Sequence, residues 1–216
     1  MRWKYIPLFA VVVLLFFACG NGKMEAAGLN ISDEPIKKTE KEMLMEKLKL
    51  KSDSALLFCE KEKLNTDFCI LVDMKIHSGK KRLFVWDMQA DTLIESSLCA
   101  HGYGQGSTVK IPVFSNVEGS YCSSLGKYKT GVRAYSKYGI NVHYKLHGLE
   151  KTNDNAYKRI VVLHSHSPIS NKIIYPEHLP LGYSQGCPVI NDDTMSLLDS
   201  MFKKQKRSTL LWIYYE

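Results

Sequence analysis

The apolar positions along the chain change texture several times. Ile6 to Ala18 form one uninterrupted apolar run, whereas residues 21–42 are polar and charged and offer little to bury, as expected of a flexible tether. "KEMLMEKLKL" and "SDSALLFCEKEKL" then predict two short helices, the second capped by Ser52 or Asp53. After Asn65 the segments "DFCILVDMKI", "RLFVWD" and "TLIESSLCA" are rich in β-branched and aromatic residues. Turn formers at 77–80 and 88–91 separate them, which predicts a meander of strands.

Residues 101–120 carry many Gly and Ser and predict a long loop, of a length that usually serves function or is disordered. "GINVHYKLHGL" alternates, with Ile140, Val142, Tyr144 and Leu146 on one face and Asn141, His143, Lys145 and His147 on the other. "RIVVLHSH" predicts a nearly continuous apolar strand that ends in polar residues. "NDDTMSLLDSMFKK" predicts a capped helix, and "STLLWIYY" a closing strand. The pattern implies a mainly β (α+β) architecture with a few peripheral helices.

The N-terminus sets the compartment. Arg2 and Lys4 precede the apolar run, which is too short to span a bilayer comfortably and ends at Ala18 before Cys19. This predicts an export signal over 1–18 and lipid attachment to Cys19, hence a lipoprotein of the bacterial cell envelope, on the periplasmic face of the outer membrane, held to the membrane through its lipid. Residues 19–42 are then the tether and 43–216 a single domain. Losing Arg2 and Lys4 with the signal takes the net charge from +7 to +5. The remaining lysines are scattered rather than massed on one helix, which argues against a nucleic-acid partner. A mildly basic exported surface suits an anionic neighbour such as the cell wall.

With Cys19 lipidated, five cysteines remain (Cys59, Cys69, Cys99, Cys122, Cys187), so at least one has no partner within the chain. Cys59 with Cys69 is a candidate disulfide and Cys99 with Cys122 a second, although spacing alone leaves the connectivity open.

Three motif-like stretches do not carry the chemistry they suggest. "HGYGQG" has no helix behind it to hold a phosphate. "GSYCSSLGK" spaces its glycines wrongly for a P-loop. "SLGKYKTG" superposes two signatures that must face each other across a cleft in serine acyltransferases. Among the histidines, His143 and His147 would lie about 13 Å apart on a strand, too far to share a metal. His164 and His166, about 7 Å apart, would need Cys187 as a third ligand, and no partnering glutamate of a zinc peptidase motif is present, so no metal or other cofactor is expected.

His164 with Cys187 is the stronger pair. A thiol of ordinary pKa near 8.5 is mostly protonated at neutral pH, and a histidine within reach converts it to a thiolate. His164 sits where an apolar strand emerges, a rigid mount for a base. Gly186 gives the chain before Cys187 its conformational freedom. Pro188 lacks an N–H, so backbone donors for an oxyanion must come from Gln185, Gly186 or Cys187. The competing reading of Cys187 is buried packing.

The ordered series "FSNVEGSYCSSLGKYKTG", "GLEKTNDNA", "RIVVLH", "SQGCPVI" and "LLWIYY" resembles the YkuD-type murein L,D-transpeptidase catalytic domains, in a branch with long loops. The resemblance spans roughly residues 65–216. It implies an L,D-transpeptidase-like β-sandwich and a cysteine acyltransferase acting on peptidoglycan stem peptides, with Cys187 as nucleophile, His164 as base, the Ser165 carbonyl orienting the imidazole, and Ser184 and Gly186 at the other motif positions. Gln185 stands where many members have histidine, Ser165 replaces a glycine usual in this branch, and Pro188 to Ile190 lack a frequent arginine or asparagine. The long segment 167–183 is placed either to close over a donor peptide or to pad the surface. Two other outcomes remain compatible with the same residues: an L,D-carboxypeptidase or endopeptidase, and a lipoprotein that binds murein without turnover.

Overall fold

The computed structural model describes residues 38–216; the expected signal segment, Cys19 and most of the expected tether lie outside them. The first element is one helix, α1 (Glu40–Glu62), where the sequence predicts two. No glycine or proline interrupts it, and Ser52, an expected cap, is buried in mid-helix while Lys49 reaches Asp53 one turn on. The N-cap is instead Thr39. Its hydroxyl accepts from the Glu42 N–H, and the Glu42 carboxylate accepts from the Thr39 N–H, so two end donors are satisfied reciprocally. α1 therefore begins inside the segment read as tether.

The strands are β1 (Phe68–Asp73), β2 (Leu83–Asp87), β3 (Thr92–Ser97), β4 (Gly126–Tyr135), β5 (Val142–Gly148), β6 (Val162–Ser165), β7 (Val189–Ile190) and β8 (Leu210–Tyr214), with helix α2 (Asp192–Phe202) between the last two. They form one eight-stranded sheet in the order β3-β2-β1-β8-β4-β5-β6-β7. The chain end β8 inserts between β1, to which it is parallel, and β4, to which it is antiparallel. Past β3, the Ala100 N–H donates to the Val189 carbonyl of β7 at 2.8 Å, so the two edges of the sheet meet and it closes like a barrel. The mainly β fold is as expected, built as one curled sheet with two helices.

Two apolar clusters hold the sheet. Tyr128, Tyr144, Leu146 and Leu163 pack with Met195, Leu198 and Phe202 of α2. On the opposite face Cys69, Leu71, Phe84, Trp86 and Leu210 pack with Leu48, Ala55 and Cys59 of α1. α1 packs on the β1, β2 and β8 part of that face, with Phe58 beneath Lys127 of β4, and β5 and β6 line an open groove. The two candidate disulfides are not formed: the five described cysteines are free thiols. Cys59 and Cys69 serve as apolar filler, and burial pushes both thiols up to about 12.

Asp199 of α2 ties the helix to the sheet. It accepts from Tyr144 Oη at 2.8 Å, Arg133 Nε at 2.7 Å and Lys203 Nζ at 2.7 Å. Burial opposes its charge, but these donors outweigh it and hold the carboxyl well below the usual range. A depressed folded-state pKa stabilises above the unfolded value, and that contribution is lost as pH falls. We expect Asp199→Asn to cost about 1–3 kcal/mol at pH 7, the gap from the native protein shrinking below about pH 4. Urea unfolding at pH 7 and pH 3 measures both.

Candidate active site

The register of three strands brings the sequence-predicted pair together. His164 on β6 lies opposite Val189 of β7 in a parallel pair, so Cys187, two residues earlier, runs alongside Val162. The Val162 N–H points at Cys187 Sγ at 3.4 Å, and the thiol faces the Ile160 carbonyl at 4.0 Å. His164, Val162 and Cys187 line one open cavity of about 400 Å³, room for a few residues of a peptide. Tyr138 stacks on the His164 ring at 5.6 Å between centroids, and Tyr183 meets His166 edge-on at 4.9 Å.

His164 Nδ1 donates to the Ser165 carbonyl at 3.0 Å, which leaves Nε2 as the acceptor. Burial pulls its pKa below 6.5; the Ser165 bond offsets part of this, and His166 and His143 push further down. The imidazole is therefore neutral at neutral pH. Burial moves the Cys187 thiol the other way, upward from 9.0, against the Val162 N–H and the positive charges of Arg159 and Lys145. The resting pair is thus neutral thiol and neutral imidazole. Among the described residues no hydrogen bond joins them; the half-buried thiol faces the Ile160 carbonyl instead of the ring.

Ser184 shapes the loop that carries the thiol. Its hydroxyl donates to the Cys187 carbonyl at 2.6 Å and accepts from the Gly186 N–H at 3.0 Å. This commits Gly186, one of the three backbone donors expected for an oxyanion. The N–H groups of Gln185 and Cys187 have no acceptor among the described residues and remain available. Gly186 is required for another reason. Its φ is 111°, and a Cβ there would lie 2.6 Å from the Cys122 carbonyl oxygen. Gly186→Ala should destabilise the protein by at least about 1–3 kcal/mol and misplace the thiol, read as a lower Tm together with slower thiol labelling.

Several residues at the site are not singled out by the sequence. Arg159 donates to the Ser115 and Cys122 carbonyls at 2.9 and 2.6 Å and to the hydroxyls of Ser120 and Ser124, which fixes loop 115–124 behind Cys187. Tyr138 and Tyr183 arrive from loops, for which no periodic signal exists. The segment 167–183 buries Ile169 and Leu179 against Leu98, Ala100 and Val189. Of this segment only Gly182 and Tyr183 line the cavity.

The L,D-transpeptidase catalytic domain profile matches residues 39–214. The chain belongs to that family. Solved structures with a similar fold include Bd1075 of Bdellovibrio bacteriovorus, at 18% identity over 71% of this chain and 49% of that one, with a TM-score of 0.44. The helical cell shape determining protein Pgp2 of Campylobacter jejuni matches at 10% identity over 69% of this chain and 48% of that one, with a TM-score of 0.44. An L,D-transpeptidase of Xylanimonas cellulosilytica matches at 10% identity over 68% of this chain and 60% of that one, with a TM-score of 0.38. The chain spans about half the length of the first two. No curated protein matches the sequence.

Proposed function

We propose that this chain is a cell-wall cysteine acyltransferase that forms a thioester with peptidoglycan stem peptides and passes the acyl group to an amine. The observation that carries the reading is the placement of a half-buried thiol and a neutral, carbonyl-oriented imidazole in one peptide-sized cavity of an L,D-transpeptidase catalytic domain. His164 Nε2 takes the Cys187 proton as sulfur attacks the carbonyl of the third stem residue. The Gln185 and Cys187 N–H groups face the oxyanion. The C–N bond to the terminal D-alanine breaks, and His164 returns the proton to the leaving amine. A neighbouring stem amine then displaces sulfur, its proton passing through His164 to the thiolate.

The expected lipid on Cys19 would hold the domain at the envelope membrane, within reach of the wall. Purified protein incubated with tetrapeptide muropeptides tests the reaction, with cross-linked dimers as the expected product. Tripeptides alone would assign hydrolysis instead, and unchanged muropeptides would refute turnover.

A further inference from the structure

The open face of β5 presents His143, Lys145 and His147, of which His143 lines the cavity that holds the thiol. The antiparallel register pairs His143 with His164 and Lys145 with Val162, the residue whose N–H reaches Cys187 Sγ. Directly paired strand residues stand about 5 Å apart, so a four-carbon side chain at 145 brings its ammonium to the thiol's surroundings. Two cations act on that thiol, Arg159 and Lys145. Four of the five Arg159 N–H donors are engaged by loop 115–124. Lys145 is differently placed. Lys127 and Lys158 are paired with Glu150 and Glu118 at 2.7 and 2.8 Å, whereas Lys145 has no carboxylate partner among the described residues and lies 5.6 Å from the Tyr157 ring centre. A cation with unused donors at the edge of a reactive site fits an anion that arrives with the substrate.

We infer that Lys145 is a specificity-determining residue, binding a carboxylate of the incoming peptide next to the bond that Cys187 attacks. A terminal carboxylate one residue past the scissile carbonyl lies about 4 Å from it, so a long side chain on the strand position paired with Val162 can reach it. A side-chain carboxylate of the residue that becomes acylated offers the same chemistry. This inference rests on the thioester reading of Cys187, and its test is chosen to be independent of turnover.

Full-length Cys187→Ala protein, with Lys145, Lys145→Met or Lys145→Arg, is titrated calorimetrically with three probes. These are a wall tetrapeptide with both carboxylates free, its C-terminal amide, and the peptide amidated at the third-residue side chain. Lys145→Met should weaken binding of the free peptide about tenfold or more, as for loss of an ionic hydrogen bond, and Lys145→Arg should keep most of the affinity. The amide that binds equally well to the Lys145 and Lys145→Met proteins identifies the carboxylate. A Met effect of the same size on all three probes, or none on any, overturns the inference. Failure of the thioester reading shows separately, as absence of acyl-enzyme on native Cys187.

Discussion

Replacing Cys187 with alanine should abolish covalent acylation. A carbapenem-type β-lactam is expected to add its mass to the native protein and leave Cys187→Ala unchanged. D-Alanine release from tetrapeptide should fall by about 10³-fold or more, as when a covalent nucleophile is removed elsewhere. The size of the effect follows from the lack of a substitute. Cys59, Cys69, Cys99 and Cys122 are buried, and burial drives the first three up to about 12, 12 and 11. Cys187 alone among the described thiols opens to the cavity. Cys187→Ser keeps the shape and the contact with Val162, yet its hydroxyl is far harder to ionise, so it too should lose most activity. Intact-protein mass spectrometry followed by peptide mapping decides the matter. Labelling that persists in Cys187→Ala, or maps to another residue, would sink the assignment.

Much of this site is legible in the sequence because strands impose parity. The alternation of "GINVHYKLHGL" places Val142, Tyr144 and Leu146 in the core, and that fixes His143, Lys145 and His147 on the groove face. The apolar run ending at His164 likewise marks a strand that delivers a polar residue to a rim. Where parity fails, the sequence is silent. β4 carries lysines at Lys127 and Lys129, and its register shifts between Thr130 and Arg133, so its pattern does not announce a strand. α1 reads as two helices because Ser52 and Asp53 look like a cap, and only tertiary burial of Ser52 shows that they are not. Arg159 and Tyr138 act through loop contacts between segments distant in the chain, which no local spacing encodes.

His164 carries the second large effect. His164→Ala should lower kcat/KM for D-alanine release by about 10²–10⁴, the range for loss of a positioned general base, while leaving the protein folded because the ring faces the cavity. The pH profile adds a test that a purely structural role would not satisfy. Protonated imidazole has no lone pair for the thiol proton, so activity falls as pH drops through the His164 pKa. Burial holds that pKa below 6.5, so the acid limb of native kcat/KM should have its midpoint below pH 6.5. Tyr138 supplies part of that burial by stacking on the ring. Tyr138→Ala should let water reach the imidazole and move the acid limb toward pH 6.5, with Cys187 still labelled by β-lactam. An acid limb that does not move in Tyr138→Ala, or native-like turnover in His164→Ala, would mean that another group takes the proton from sulfur.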